Sequence, residues 1–247
     1  MSKARLDTLL VEHGLATSRD QARRLIMAGE VLVDDQPAVK PGTRVPSDAR
    51  LRLRRTPPRF VSRGGEKLAG ALDAFGLDVR GMRALDVGAS TGGFTDCLLQ
   101  RGARRVIAVD VGYGQLAWSL QQDERVDVRD RVNARALPPD FLDEPADLAT
   151  IDVSFISLTL VLPAVVPQLV AGGVVVPMVK PQFEVGPERV GAGGVVRDPA
   201  VRRDAIVRVR QCVEDLGLTV QAEAESVLAG AKGNREVFLC CRLSSEC

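Results

Sequence analysis

The sequence predicts an α/β protein. It reads as an open, Rossmann-like, seven-stranded and mostly parallel sheet wound with helices, preceded by a small α+β module. Three observations predict this. Apolar runs ending in an acid recur through the last two thirds of the chain, at Arg83–Asp86, Val106–Asp110 and Ala146–Asp152. A glycine-rich turn, Gly88-Ala-Ser-Thr-Gly92-Gly93, joins the first of these runs to a helical stretch opening near Thr95. Charge is unevenly spread: residues 1–67 carry 14 Lys/Arg against 8 Asp/Glu, and the remainder carries 19 against 24. Alternating strand and helix signals imply parallel pairing, and a basic segment on a mildly acidic body implies a polyanion partner for that segment.

At 247 residues, with 45% hydrophobic and 26% charged residues, the chain is long enough for one large core and a small appendage. Its five cysteines (Cys97, Cys212, Cys240, Cys241 and Cys247) form no C-x-x-C pair, a pattern that fits reduced thiols in a cytoplasm. Adjacent Cys240 and Cys241 would point to opposite faces of a strand. The single histidine, His13, leaves no plausible zinc cluster, so no metal is expected. No signal-peptide pattern follows Met1. Residues 153–179 lack any charge, yet Pro163, Pro167, Gly172, Gly173 and Pro177 interrupt them. That stretch reads as a buried helix near 158–170, a Gly-Gly turn and a central strand Val174–Val179, not as a membrane span, and no stable membrane insertion is expected.

In chain order, Leu6, Leu9, Leu10 and His13 fall at helical spacing and Gly14 can end that helix. Ser18-Arg-Asp-Gln21 is a capping box, with Ala22, Leu25 and Ile26 as the buried stripe of the helix it opens. Arg19, Arg23 and Arg24 remain to face outward. A hairpin follows, with strands at Val31–Val33 and Pro37–Lys40 about a turn at Asp34-Asp35-Gln36. Arg50-Leu-Arg-Leu-Arg54 alternates with period two, so one face is apolar and the other is all arginine. Residues 1–55 form the small domain and 56–63 a linker marked by Thr56-Pro57-Pro58. The larger domain spans 64–247.

Phe60 either packs the two domains together or stacks on a base, packing being the plainer reading. Ser62–Lys67 opens a helix with the apolar face Leu68, Ala71, Leu72 and Phe75. Lys67 is placed in its first turn, where the helix dipole disfavours a cation and a functional reason is invited. Only five of the 33 basic residues are lysines (Lys3, Lys40, Lys67, Lys180 and Lys232). Lysine can give up a proton where arginine cannot. Val126–Val128, Leu218–Val220 and Gly233–Arg242 complete the strands, and a helix spans about 200–215. Residues 182–200 are glycine-rich and read as a loop over the site. Pro181 should hold Lys180 extended.

The turn after Asp86 brings backbone N–H groups close to an anionic or nucleotide-type ligand. Its spacing is G-x-x-x-G-G and not G-x-G-x-x-G, which speaks against a dinucleotide and for S-adenosylmethionine. Gly88, Gly92 and Phe94 are the loop contacts, and Asp110, about twenty residues on, is the carboxylate for the ribose hydroxyls. Asp130 or Asn133 would meet the adenine. Asp86 supports the loop more than it touches the ligand. Strand ends converge on one crevice, so Asp86, Asp110, Asp152 and Lys180 are all expected to face it.

Residues 3–54, with the pattern Arg-Leu-Asp, Gly-Leu-Ala-Thr-Ser-Arg, Leu-Ile, Gly and Val, resemble the S4-like (αL-type) RNA-binding domain of a ribosomal small-subunit protein and of several RNA-modifying enzymes. The resemblance implies RNA contacts at Arg5, Ser18, Arg19, Arg23 and Lys40. Asp-Val-Gly-Ala-Ser-Thr-Gly-Gly-Phe-Thr (86–95), Asp-Val-Gly-Tyr-Gly-Gln-Leu (110–116), Asp-Val-Ser-Phe-Ile-Ser-Leu (152–158), Lys-Pro-Gln-Phe-Glu-Val-Gly (180–186) and Gly-Asn-Arg-Glu (233–236) are similar to the TlyA, or hemolysin A-type, family. That resemblance covers nearly the whole chain. It implies an FtsJ-like domain with the Rossmann-like fold of S-adenosylmethionine-dependent methyltransferases, acting on cytidine ribose 2′-hydroxyls of ribosomal RNA in ribosomal subunits. It also implies a catalytic tetrad at Lys67, Asp152, Lys180 and Glu236.

A ribose hydroxyl is a poor nucleophile until its proton leaves, and a neutral lysine amine can take that proton. Lys180 is the expected base, Lys67 and Glu236 its positioning partners and Asp152 an orienter. Two other classes compete with this enzyme. An RNA-binding ribosome-associated factor with an inactive fold is opposed by the intact tetrad. A membrane cytolysin is opposed by the proline-broken apolar run.

Overall fold

The computed structural model describes residues 2–38, 40–54 and 58–245. Val39, Arg55 at the end of the small domain, the linker residues Thr56 and Pro57, and Cys247, which the sequence reading touched, lie outside them. The chain divides into two compact units, 1–58 and 59–247.

The first unit opens with strand β1 (Lys3–Arg5), helix α1 (Leu6–Glu12) and helix α2 (Arg19–Met27). Strands β2 (Val31–Val33), β3 (Gln36–Ala38), β4 (Arg44–Pro46) and β5 (Leu51–Leu53) follow. Leu6, Leu10, Ala22 and Ile26 from the two helices meet Val31 and Val45 in a core of their own. The N-cap is as expected: Ser18 Oγ accepts from the Gln21 N–H at 3.2 Å. The return half of the box differs, because Gln21 Oε1 accepts from the Thr17 N–H at 2.6 Å instead of reaching Ser18. The hairpin turn is a residue shorter than expected. Asp34 and Asp35, at φ 49° and 66°, make a two-residue turn and Gln36 already pairs with Val33. β1 pairs with β4, a strand pair too short to leave a periodic signal.

The second unit holds the seven-stranded sheet, in the order β11-β12-β10-β9-β6-β7-β8. Helix α3 (Arg63–Phe75) precedes β6 (Arg83–Val87), which leads through the glycine turn into α4 (Gly93–Gln100). Then come β7 (Arg105–Asp110), α5 (Trp118–Gln121) and β8 (Val126–Asp130). The chain returns to the other side of β6 as β9 (Ala146–Ile151), followed by α6 (Leu162–Val165) and β10 (Leu169–Val179). Helices α7 (Pro181–Glu184) and α8 (Pro199–Asp215) and strands β11 (Leu218–Glu225) and β12 (Val237–Leu243) complete it. β12 runs antiparallel to both neighbours, and the other pairings are parallel.

Alternation along the strands feeds two cores, one on each face of the sheet. Leu85, Ile107, Ala149, Val175 and Cys241 line one. Ala84, Val106, Leu148, Val174 and Cys240 line the other, so the two adjacent cysteines do point to opposite faces. The apolar stretch after Val153 is not one helix. It is a 3-10 turn (Leu158–Leu160), α6 and a second 3-10 turn (Val166–Gln168), since Pro163 and Pro167 each remove a helical donor. β10 begins earlier than expected, at Leu169, and its pairing with β9 is irregular between Leu169 and Val174, where Gly172 and Gly173 lie. Among the described residues no helix is long and apolar enough to cross a membrane. Phe60 is buried in the second unit's own core, under Gly65, where any Cβ would collide with its ring. Lys67 is the fifth residue of α3 and so stands in its second turn, not its first.

Candidate active site

Strand order reverses at β6. The chain moves outward through β7 and β8, then crosses back to place β9 on the other side. In such sheets the crevice opens beyond the carboxyl ends of the two strands flanking the reversal. Val87 and Ile151 are the last paired residues of β6 and β9, so Gly88 and Asp152 emerge side by side. The Asp152 N–H donates to Val87 O at 2.9 Å.

Around this point lie two cavities. One, of about 550 Å³, includes Gly88, Asp110, Asn133, Asp152, Ser154 and Phe155 in its lining. Its volume is within the roughly 300–1,000 Å³ of small-ligand sites. The other, of about 220 Å³, touches Lys67, Gly88, Phe94 and Asp152 among others. Gly88 and Asp152 belong to both.

The cofactor candidates therefore separate. Gly88, Asp110 and Asn133 line the larger cavity and Phe94 the smaller. Gly92 lines neither; at φ 95° it packs under Leu116 and Leu120 and shapes the turn. Asp130 lines neither and accepts from the Gly114 N–H at 2.9 Å. The Asp110 carboxylate is held by the Ser90 N–H at 2.8 Å and the Gly112 N–H at 2.7 Å, which aims it along the cavity wall. Asp86 does not face the crevice. It is wholly buried and accepts from Thr95 Oγ1 at 2.6 Å and Thr150 Oγ1 at 3.2 Å, tying the glycine turn to β9. Burial pushes its carboxyl up to about 7, with the two threonine hydroxyls opposing the rise.

The tetrad residues form two ion pairs. Lys67 Nζ meets Glu236 Oε2 at 2.5 Å, with the glutamate side chain 3% exposed. Lys180 Nζ meets Asp152 Oδ1 at 2.6 Å. The second contact is ionic and not a directed hydrogen bond, since Asp152 Oδ1 has no hydrogen-bond partner among the described residues. The Lys180 ammonium instead directs a hydrogen bond to Ser154 Oγ at 2.9 Å. Lys180 is extended (φ −111°, ψ 100°), as Pro181 requires. Glu236 stands one residue before β12, beside Gly230, where a Cβ would overlap its carboxylate.

Two residues at the site lie within the motifs at 152–158 and 180–186 but drew no role from the sequence. Ser154 lies in an irregular stretch with no periodicity to mark it. Glu184 falls in the segment read as a loop, yet it is buried and accepts from Ser157 Oγ at 2.5 Å and the Leu158 N–H at 2.8 Å. Between these anchors Phe155 is 92% exposed, at φ 65°, with its ring 5.2 Å from that of Phe183.

In the first unit, Arg5 and Arg19 both reach buried Asp7, at 2.8 and 3.4 Å. The Arg5 guanidinium holds that carboxyl down at about 2. Ser18 is used as the N-cap, while Arg23 and Lys40 are exposed.

Comparison with known proteins identifies both domains. The family described as FtsJ-like methyltransferase matches residues 60–243, and the S4 domain matches residues 4–51. The chain is 50% identical over 245 residues to the 16S/23S rRNA (cytidine-2′-O)-methyltransferase TlyA of Mycobacterium tuberculosis, across 99% of this chain and 91% of that one. It is 36% identical to Hemolysin A of Brachyspira hyodysenteriae, across 94% of this chain and 97% of that one. Among solved structures, a candidate hemolysin of Streptococcus thermophilus superposes with a TM-score of 0.74 at 43% identity, over 100% of this chain and 90% of that one.

Proposed function

The chain belongs to the TlyA family of FtsJ-like methyltransferases, with an S4 domain ahead of the methyltransferase domain, and on that premise we propose that it methylates cytidine ribose 2′-hydroxyls of ribosomal RNA. The observation that carries the reading is the contact between the glycine turn and the Lys180–Asp152 pair. Gly88 and Asp152 share both cavities, so a cofactor cradled by the turn lies beside Asp152, whose ion-pair partner Lys180 lines neither cavity.

The residues present fit S-adenosylmethionine. A Cβ at Gly88 would fill the cradle, and Asp110 presents a carboxylate at the end of β7 for a ribose diol. Gly88, Asp110 and Asn133 are its direct contacts in this reading, Phe94 borders it, and Gly92 and Asp130 hold the surrounding loops. When bound, the cofactor supplies a methyl group on a cationic sulfur.

Lys180, once neutral, takes the proton of the attacking hydroxyl. Asp152 fixes the amine and places negative charge near the cationic donor. Lys67 faces the smaller cavity from α3, and Glu236, which lines neither cavity, holds it through their ion pair. Phe155 and Phe183 offer the target base an aromatic surface beside the reacting centre. Arg5, Ser18, Arg19, Arg23 and Lys40 are the RNA contacts of the first domain, with Arg23 and Lys40 free for phosphate and Arg5 and Arg19 partly committed to Asp7. A ribosomal-subunit substrate and the free cysteines among the described residues favour a cytoplasmic setting.

The test is to map ribose 2′-O-methylation on ribosomal RNA, in small and large subunits, with and without the protein and S-adenosylmethionine. New methyl groups at cytidines are expected. RNA that binds but gains no methyl group would reduce the protein to a ribosome-associated binding factor.

A further inference from the structure

From the geometry around Lys180 we infer that Ser154 is a positioning residue of the methyl-transfer site, aiming the lone pair of the Lys180 amine. The inference rests on the methyltransferase reading and goes beyond the four residues of the tetrad.

An amine that acts as a base has two N–H bonds and one lone pair in a tetrahedral arrangement. Unless rotation about the Cε–Nζ bond is stopped, the lone pair has no fixed direction. Lys180 Nζ directs one hydrogen bond, to Ser154 Oγ at 2.9 Å, beside its ionic contact with Asp152 Oδ1 at 2.6 Å. Among the described residues no third partner is recorded for it. With one N–H held on Ser154 Oγ and the carboxylate of Asp152 repelling the lone pair, the lone pair is turned away from both. The O–H bond of the ribose then breaks as an N–H bond forms at Lys180, and the oxygen keeps the electron pair with which it attacks.

Asp152 alone does not achieve this. The Asp152 contact is undirected and lets either N–H face it, so a second group that accepts a directed hydrogen bond is needed to stop rotation about Cε–Nζ. The second must also be neutral, since another carboxylate would hold the amine in its charged form.

The serine is itself held in place. At one end of its segment the Asp152 N–H is bonded to Val87 O at 2.9 Å. At the other, Glu184 receives Ser157 Oγ at 2.5 Å and the Leu158 N–H at 2.8 Å. Lys180 and Glu184 stand four residues apart at the ends of one short segment, and Ser154 and Ser157 three apart on the facing one. The two contacts form the rungs that hold these segments together. Phe155, between the rungs, sits at φ 65°, a conformation such a residue adopts only when its surroundings impose it. Ser154 Oγ is thus placed before any ligand arrives, as electrostatic preorganisation requires.

The experiment compares Ser154→Ala and Ser154→Thr in the full chain. Three readings are taken: methyl transfer to ribosomal subunits, S-adenosylmethionine affinity by calorimetry, and the Lys180 Nζ resonance in protein carrying ¹⁵N-labelled lysine. With only five lysines that spectrum is simple to assign. Ser154→Ala should lower kcat by about tenfold while KM for RNA and cofactor affinity stay within about twofold, and Ser154→Thr should restore kcat. The Lys180 resonance should move in the alanine variant and return in the threonine variant. An alanine variant with full kcat and an unmoved resonance overturns the inference. So does a loss of kcat matched by an equal loss of cofactor affinity, which would make Ser154 a cofactor ligand. A wild-type protein that methylates no ribosomal RNA would sink the proposed function instead, and the resonance, which needs no substrate, would still decide the Ser154 contact.

Discussion

Gly88 and Asp152 approach so closely that a Cβ on Gly88 would lie 2.5 Å from the Asp152 carbonyl oxygen. The approach follows from pairing β6 directly with β9, which leaves the next residue of each strand side by side at the mouth of the crevice. Gly88 also holds φ 84°, a conformation that L side chains rarely adopt. Gly88→Ala should cost about 3 kcal/mol or more through combined strain and overlap. It should also abolish S-adenosylmethionine binding. Thermal denaturation and a cofactor titration check the two effects separately.

Lys180 is the residue whose loss should separate binding from chemistry. Lys180→Ala and Lys180→Arg should both reduce methyl transfer by about 10²-fold or more, the scale of general base catalysis. Arginine keeps the charge opposite Asp152 but cannot become the neutral base. Cofactor affinity should survive in both variants. Retained turnover in both would remove Lys180 as the base, as single-turnover assays on ribosomal subunits would reveal.

The Lys67–Glu236 pair is buried, with side chains 12% and 3% exposed. Lys67→Ala should therefore destabilise the protein by about 3 kcal/mol, because it strands a charge away from water. The double variant Lys67→Met, Glu236→Gln should recover much of that stability without recovering activity. Urea denaturation of the single and double variants, read as a thermodynamic cycle, gives the comparison.

Asp86 should leave a signature in the pH dependence of stability. Burial raises its folded value to about 7, whereas the unfolded chain titrates at about 4. The folded state therefore holds a proton that the unfolded state has released. The stabilisation is complete below about pH 4 and is lost as pH rises toward 7, by up to about 1.4 kcal/mol per pH unit. Asp86→Asn, which is always neutral, should flatten that slope. An unchanged profile from pH 4 to 7 would show that the carboxyl titrates normally.

The α/β pattern was legible because its signals are local. Apolar runs, terminal acids and the glycine turn each lie within about ten residues, and the opposed faces of Cys240 and Cys241 follow from strand geometry alone. The extended backbone at Lys180 followed from the proline after it. The chemistry of the candidate site was legible as residue types at strand ends, and its fourfold grouping only through family resemblance.

Partners were not legible, because they depend on strand order. Lys67 and Glu236 are 169 positions apart and meet only because α3 packs over the half of the sheet that contains β12. Strand β9 could have followed β8 outward, and only its return beside β6 sets Asp152 against the glycine turn. Burial decided that Asp86 serves the fold while Asp110 and Asp152 open to the cavity, although all three follow the same strand-then-acid pattern. Local periodicity states which face of an element is apolar. Which elements then lie together is settled by packing both faces of one sheet at once, a condition no single stretch of sequence contains.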